Sequence, residues 1–568
     1  MSSQTRLLRA RRFLPLFVTQ FLGALNDNVL KNAMVVLLTF QAASWTALKP
    51  EVLANLAAGI FILPFFLFSA TAGQIADKYD KAVLTRLVKL LEIGIVLVAG
   101  AGFVLHSLEV LLASLFLLGL HSTLFGPIKY AILPQHLGEK ELVGGNALIE
   151  AGTFVAILIG TLLGGLLAGD LGGSGAITLV GLVFAVAGYL ASRGIPQAPP
   201  PAPELKVNLN PIVETWRNIA FSRENRSVFL SIMGISWFWL YGAMFLAQFP
   251  AYTKNVLGGS ETAVTLLLAT FTLGIGVGSM LCERLSAERV ELGLVPFGSI
   301  GLTLFGLDLA FASPAGPAGS DALGALALLE QAATWRILAD LALLGIFGGF
   351  FIVPLYALVQ QRSAAAHRAR VIAANNIFNA LFMVVGALAA AAMLGNGLSI
   401  PALFGVAALC NAAVAVFIYG LVPEFLQRFV VWLLIHSAYR LRATGLEQVP
   451  HDGAAVLVCE RADAIDALLL MAACRRPIRF VIDRRLSHGP LLRFVFGECR
   501  AIYYDGAVPP APTFSEIDAA LAAGELVGLL APHALSDAAS AAPRLPVTLT
   551  PRGGLFSRID LAVGAPAN

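Results

Sequence analysis

Apolar runs close to the roughly twenty residues that cross a bilayer as one helix recur from residue 13 to residue 422, broken only by short polar clusters. The pattern predicts twelve membrane-spanning helices, over residues 13–40, 52–72, 84–106, 109–133, 143–169, 174–193, 227–251, 261–282, 291–313, 334–360, 369–395 and 399–422. Buried helices of a large soluble protein would each keep a polar face, and most of these runs have none. A polar stretch, Pro-rich at its start, runs from Pro196 to Asn225 and divides six spans from six. The expected architecture is therefore an all-α polytopic membrane protein with two six-helix halves, residues 1–195 and 226–424, joined by a linker over 196–225.

From about Leu426 the texture changes. Short β-type runs (Ala454–Cys459, Ile478–Ile482, Leu526–Leu530) alternate with Arg-rich and Gly/Pro-rich turns, as in a small α/β domain, expected over 425–568. The apolar stretch Phe429–Ile435 is too short to span. It is expected to lie in the membrane interface as an amphipathic helix, with Arg428, Arg440 and Arg442 near lipid headgroups.

Composition agrees with the pattern: 58% of the 568 residues are hydrophobic and 13% charged. A net charge of +3 gives no reason to expect a nucleic-acid partner. Basic residues concentrate at the N-terminus and in the even-to-odd loops (Arg6, Arg9, Arg11, Arg12, Lys78, Lys81, Arg86, Lys140, Arg284, Arg362 among them), while the opposite loops hold only Lys49, Lys254 and Arg336. By the positive-inside rule both termini are expected in the cytoplasm. The five cysteines lack CxxC or metal-ligand spacing, so neither a disulfide frame nor a metal site is expected, and no cofactor is implied.

After the second span comes Gly73-Gln-Ile-Ala-Asp77-Lys78-Tyr-Asp80-Lys81. A glycine lets helices approach closely, an acid complements a helix N-terminus, and neighbouring bases pair with it. The segment resembles the G-x-L-x-D-R-x-G-R-K signature of the major facilitator superfamily, with Asp80-Lys81 where that signature ends in Gly-Arg; Gly278-Ser-Met-Leu-Cys-Glu283-Arg284 echoes it after the eighth span. The resemblance implies a major facilitator fold in which Gly73, Asp77, Lys78 and Lys81 form a conformational gate. Further motifs narrow the likeness: Gln20–Asn28 in span one, Phe125–Pro134 in span four, Asn146–Thr153 in span five and Ile235–Trp239 in span seven. Together they resemble the lysophospholipid transporters of Gram-negative bacteria, in particular those fused to an acyltransferase domain. That likeness implies a lysophospholipid substrate among membrane lipids of the bacterial inner membrane.

A charge within hydrocarbon is costly unless it faces a cavity or a partner, so Asp27, Lys129 and Glu150 each need a reason. Asp27 is one turn from Lys31 and could pair with it, or meet Lys129 across the bundle. Along a phospholipid path Lys129 would attract the phosphate and Asp27 or Glu150 an ammonium headgroup. Asn28 and Asn146 accompany them, and Asn375, Asn376 and Asn379 form a polar stripe suited to a glycerol backbone. Trp237 and Trp239 sit near mid-span and could line a slot for an acyl chain. Equally, these groups could form a structural network that only locks conformations.

The C-terminal segment resembles the glycerolipid acyltransferase domain, whose N-H-x-x-x-x-D motif supplies a general base and the Asp that orients it. Asp466 matches that Asp, but Arg461 stands at the His position, and an arginine does not take up a proton near neutrality. Leu530-Ala531-Pro532-His533 stands where the family's F-P-E-G block binds a phosphate, and no phosphate-gripping Gly-rich loop follows. The expected domain keeps its fold and loses its catalysis, leaving a scaffold that docks a separate, active acyltransferase or holds the gate. Two other functions stand beside this one: a bifunctional protein that re-acylates the imported lipid, and an exporter of drugs or other small molecules.

Overall fold

The computed structural model describes residues 3–40, 50–168, 173–286, 291, 293–314, 316, 323–421, 423–450, 453–459, 463–474, 476–506, 511–530, 542–550 and 556–566. These form two compact units, Met1–Ile418 and Tyr419–Asn568.

Twelve long helices build the first unit. They are α1 (Leu14–Phe40), α2 (Pro50–Lys78), α3 (Lys81–Leu105), α4 (Leu108–His136), α5 (Glu139–Ala168) and α6 (Gly173–Ser192), then α7 (Arg226–Asn255), α8 (Glu261–Leu285), α9 (Leu294–Ala312), α10 (Ala332–Arg362), α11 (Arg368–Gly395) and α12 (Ile400–Leu421). Among the described residues, eleven of them are long and apolar enough to cross a membrane; α1 is the exception. Asn26, Asp27, Asn28, Lys31 and Asn32 give α1 a polar band in mid-helix, which lowers its hydropathy although its 27 residues are ample in length. Within the first half α1 packs on α5 and α6, α2 on α4, and α3 on α4 and α6. The second half pairs α8 and α9 with α10, and α7 with α11. The halves meet along α2 with α11 and α5 with α8, two contacts equivalent by position in their halves.

The linker is more ordered than a polar connection between halves need be. Its Pro-rich part lies against the Gly73–Lys81 segment: Lys81 N–H donates to the Ala198 carbonyl (3.1 Å), Ala202 N–H to that of Asp77 (3.1 Å), and Ala198 N–H to the Asp80 carboxylate (2.9 Å). It ends in a helix, Pro211–Arg223, begun by an Asn-Pro pair: the Asn210 side chain accepts from the N–H groups of Ile212 and Val213, while Pro211 occupies a position that needs no donor.

The second unit is a seven-stranded sheet, counted over the described residues, with β1 (Tyr439–Thr444), β2 (Ala455–Cys459), β3 (Ile478–Asp483), β4 (Ile502–Tyr504), β5 (Leu526–Leu530), β6 (Arg544–Leu549) and β7 (Ser557–Val563). Their order is β1-β7-β6-β2-β5-β3-β4, parallel throughout except for antiparallel β6 and β7. Every residue of central β5 is buried, as expected of a strand covered on both faces. The helix Pro423–Ala438 departs from the expectation of an interfacial segment. Val431 and Ile435 belong to the domain core, and Arg428 donates to the carbonyls of Met471 (3.2 Å) and Cys474 (3.1 Å), closing the end of helix Ala464–Ala473.

Candidate functional site

Two polar assemblies lie inside the first unit. The first belongs wholly to the N-terminal half. Glu92 on α3 accepts from Lys89 Nζ (2.7 Å) and from Asn26 Nδ2 on α1 (2.7 Å), and the Lys89–Glu92 pair is entirely buried. His121 on α4 stands between Glu92 (3.5 Å) and Asp27 (3.6 Å), and Asp27 accepts from Ser122 (2.5 Å). A line of charged and polar groups thus runs Lys89, Glu92, His121, Asp27, Ser122 across three helices. Lys31 donates to Asn28 Oδ1 (3.1 Å) and lies over the Phe61 ring, with Asp27 near enough to attract it but not in direct contact. Lys89, Glu92 and His121 were absent from the sequence-derived candidates, although two charges three residues apart inside an apolar run, facing a histidine in the next span, were the available signal.

The second assembly sits between the halves. Tyr130 on α4 stacks on Tyr356 of α10, ring centroids 4.4 Å apart and nearly parallel. The Tyr130 hydroxyl donates to Glu150 Oε1 on α5 (2.5 Å), whose second oxygen is buried with no hydrogen-bond partner among the described residues. Trp239 donates to the Tyr356 hydroxyl (3.3 Å) and stacks on Phe154. Lys129 Nζ lies 4.5 Å from the centroid of the Tyr130 ring, with Glu150 and Asp27 near enough to attract it. One turn from Glu150, Asn146 exchanges two hydrogen bonds with Gln360 (2.8 and 2.9 Å), one turn from Tyr356; both amides are fully buried. Pro127 and Pro354 each lie inside their helices close to the stacked tyrosines, and a proline there leaves a backbone carbonyl without its usual donor.

The asparagines of α11 divide. Asn375 is buried beside Tyr356 with its amide unpartnered among the described residues, Asn376 packs on Gly126 of α4, and Asn379 accepts from Ser236 (2.8 Å) within the second half. Trp237 faces away from this junction: its indole donates to Asn411 (2.9 Å), which is itself tied to Ser299 and Thr303. Two residues apart on a helix point to opposite sides, so Trp239 rather than Trp237 meets the other half.

At one end of the bundle the halves are latched. The Asp77 carboxylate accepts from the N–H groups of Ala369 (3.1 Å) and Arg370 (3.3 Å) and from Arg370 Nε (3.1 Å), an anion seated on the first turn of α11. Gly73 makes this possible, since a Cβ there would come within 2.8 Å of the Ala373 Cβ and 2.9 Å of the Arg370 Cα. The echo motif is similar only in part: buried Glu283 of α8 lies over Gly144 near the start of α5, while Gly278 packs on Ile346 of α10. The ammonium of Lys81 is buried near Asp77, whereas Lys78 lies over the Tyr79 ring outside the latch. Gln4 adds a further tie, donating to the Met280 carbonyl of α8 (3.1 Å).

In the second unit Asp466 is buried in the first turn of its helix, close to Cys459, whose thiol is pushed up to about 12 by burial with that carboxyl beside it. Arg461 and His533 lie outside the described residues.

Two six-helix halves meeting around buried polar side chains and latched at one end define a membrane transporter of the rocking-halves class. The chain belongs to the Major Facilitator Superfamily, whose sequence model matches residues 16–329. It is similar to the lysophospholipid transporters LplT of Cronobacter sakazakii (30% identical over 364 residues, 62% of this chain and 81% of the relative) and of Escherichia coli (29% over 405 residues, 69% and 92%). Among solved structures it is similar in fold to the human organic anion transporter MFSD10 (TM-score 0.58, 15% identity, 72% of this chain and 99% of that one). The transporter FucP in its outward conformation is similar too (TM-score 0.55, 11% identity, with the same coverage).

Proposed function

We propose that this protein moves lysophospholipids across the bacterial inner membrane by alternating access of its two halves. The observation that supports this most is the placement of Lys129 over the Tyr130 ring and near the Glu150 carboxylate at the junction of the halves. A cation and a carboxylate side by side in hydrocarbon suit a zwitterionic headgroup, the phosphate to Lys129 and the ammonium to Glu150 or Asp27. The aromatic surfaces of Trp239, Phe154, Tyr130 and Tyr356 beside them suit a single acyl chain. Similarity to lysophospholipid transporters over most of their length supports the same cargo.

Opening at the Asp77 end requires the Asp77–α11 contact, the Asn146–Gln360 exchange and the Tyr130–Tyr356 stack to part together. In this reading that end is cytoplasmic, as the basic residues near it suggest, and the latched state faces outward. The C-terminal unit is read as an acyltransferase-like domain without activity, because Arg461 replaces the general base, and a separate active acyltransferase is its expected partner.

The test is movement of labelled lysophosphatidylethanolamine into or out of proteoliposomes holding the full chain, with a thioester acyl donor supplied in a second arm. Lysolipid movement without conversion to diacyl product is expected. Conversion by the chain alone would favour the bifunctional reading, and indifference to lysolipid with response to a proton gradient would favour an exporter.

A further inference from the structure

The linker helix Pro211–Arg223 is inside out. Its buried side is polar, with Glu214, Asn218 and Ser222 one turn apart and packed towards α2, α7 and α11. Glu214 Oε1 accepts there from Asn208 (3.0 Å) and Arg217 (2.6 Å), while its Oε2 is buried without a partner among the described residues. Its outward side is apolar: Ile212 (70% exposed), Val213 (45%) and Trp216 (65%), extended by Leu209 (76%) just before the helix. Exposed Lys206, Arg217 and Arg223 flank that stripe. A helix in water shows the reverse arrangement, and so continuous an apolar stripe marks a surface that is covered in use.

We propose that this face lies in the headgroup region of the membrane, its apolar residues among the upper acyl chains and its basic residues on the phosphates of anionic lipids. Position supports it. Gln74 of α2 holds Asn208 through two hydrogen bonds of 2.9 Å, fixing the start of the helix. Two turns back along the same face of α2, about 10 Å away, Leu67 is exposed, and Leu63 lies one turn beyond it. Those leucines belong to a membrane-spanning segment, so the stripe takes up where the lipid-facing surface of α2 ends. Chemistry supports it as well: apolar residues with a tryptophan at their centre and exposed basic residues, Lys206 and Arg223, at their rim are the composition of a helix lying in the interface. Of the acids nearby, Glu224 lies against His367 (3.1 Å), and Glu204 is exposed two residues before Lys206. The connection between the halves is thereby anchored to the leaflet on the side of the Asp77 latch.

The experiment reads Trp216 as the difference between the wild-type full chain and Trp216→Phe, in vesicles of brominated phosphatidylcholine with or without brominated phosphatidylglycerol. The expected result is loss of the Trp216 emission to bromolipid, blue-shifted emission, and no loss to aqueous iodide. Greater loss with phosphatidylglycerol is also expected, and that preference should vanish in Lys206→Gln/Arg223→Gln. Quenching by iodide but not by bromolipid would overturn the proposal in favour of a water-exposed face. Protection from both would overturn it in favour of a protein cover, and equal quenching by both lipids would overturn the assignment to anionic headgroups.

Discussion

Removing the Glu92 carboxylate should unsettle the N-terminal half more than removing any other single group in it. Two donors converge on Glu92, Lys89 and Asn26, each at 2.7 Å, and the His121 ring stands 3.5 Å away. Glu92→Leu leaves a lysine with no water around it and an amide without its acceptor. Breaking a buried ion pair from one side costs about 3–5 kcal/mol. For a half of this size that corresponds to roughly 6–20 °C in apparent melting temperature, at about 2–4 °C per kcal/mol. Lys89→Met is milder, because Glu92 keeps Asn26; about 1–3 kcal/mol is expected, the range for a buried polar group that loses one partner. The double variant Lys89→Met/Glu92→Leu should recover much of the Glu92→Leu loss. Thermal unfolding of the purified full chain, followed by tryptophan fluorescence, measures all three. If the double variant melted at the additive sum of the singles, the two side chains would not be acting as a pair and the reasoning would fail.

Three further outcomes follow from contacts within each unit. Gly73→Val should keep α2 from seating on α11, so that Ala373→Cys, buried in the latched state, becomes more reactive to a water-soluble maleimide; unchanged labelling would count against the contact. Asn146→Leu and Gln360→Leu should each cost about 1–3 kcal/mol by orphaning one buried amide, while the double variant comes close to wild type in a melting cycle. Because the thiolate is the reactive form and burial pushes the Cys459 thiol up to about 12, that cysteine should stay protonated and resist alkylation in the native protein from pH 7 to 9. Mass spectrometry should find it modified only after unfolding or at still higher pH, and ordinary reactivity near pH 8.5 would contradict its burial beside Asp466.

The sequence was most legible where a single physical constraint acts on many residues. Hydrophobic length alone placed all twelve long helices within a few residues of their ends, and alternation of short apolar runs placed β2, β3 and β5. Strands β1, β6 and β7 were hidden because their burial alternates, half-buried with exposed along β1 and buried with less buried along β6 and β7, and arginine or proline interrupts each segment. The gate was legible because Gly73 and Asp77 act on their own backbone neighbourhood. Their partners, the N–H groups of Ala369 and Arg370, lie about 290 residues away and carry no side-chain signature. Lys89, Glu92 and His121 were masked by the apolar residues around them. The linker reads as a loop because its Pro-rich start says nothing of what it packs on, although Asn210-Pro211 is a helix start signal. A choice between Trp237 and Trp239 needs the rotation of α7 about its axis, which only the packed structure supplies.

The account rests on a cation and carboxylates inside the bundle meeting a lipid headgroup. Uptake of labelled lysophosphatidylethanolamine into vesicles carrying wild type, Lys129→Ala, Asp27→Asn or Glu150→Gln measures this directly. Uptake should fall sharply in Lys129→Ala while the purified variant melts close to wild type, with losses in the carboxylate variants that depend on the headgroup amine. Uptake at wild-type rate in all three folded variants would contradict it.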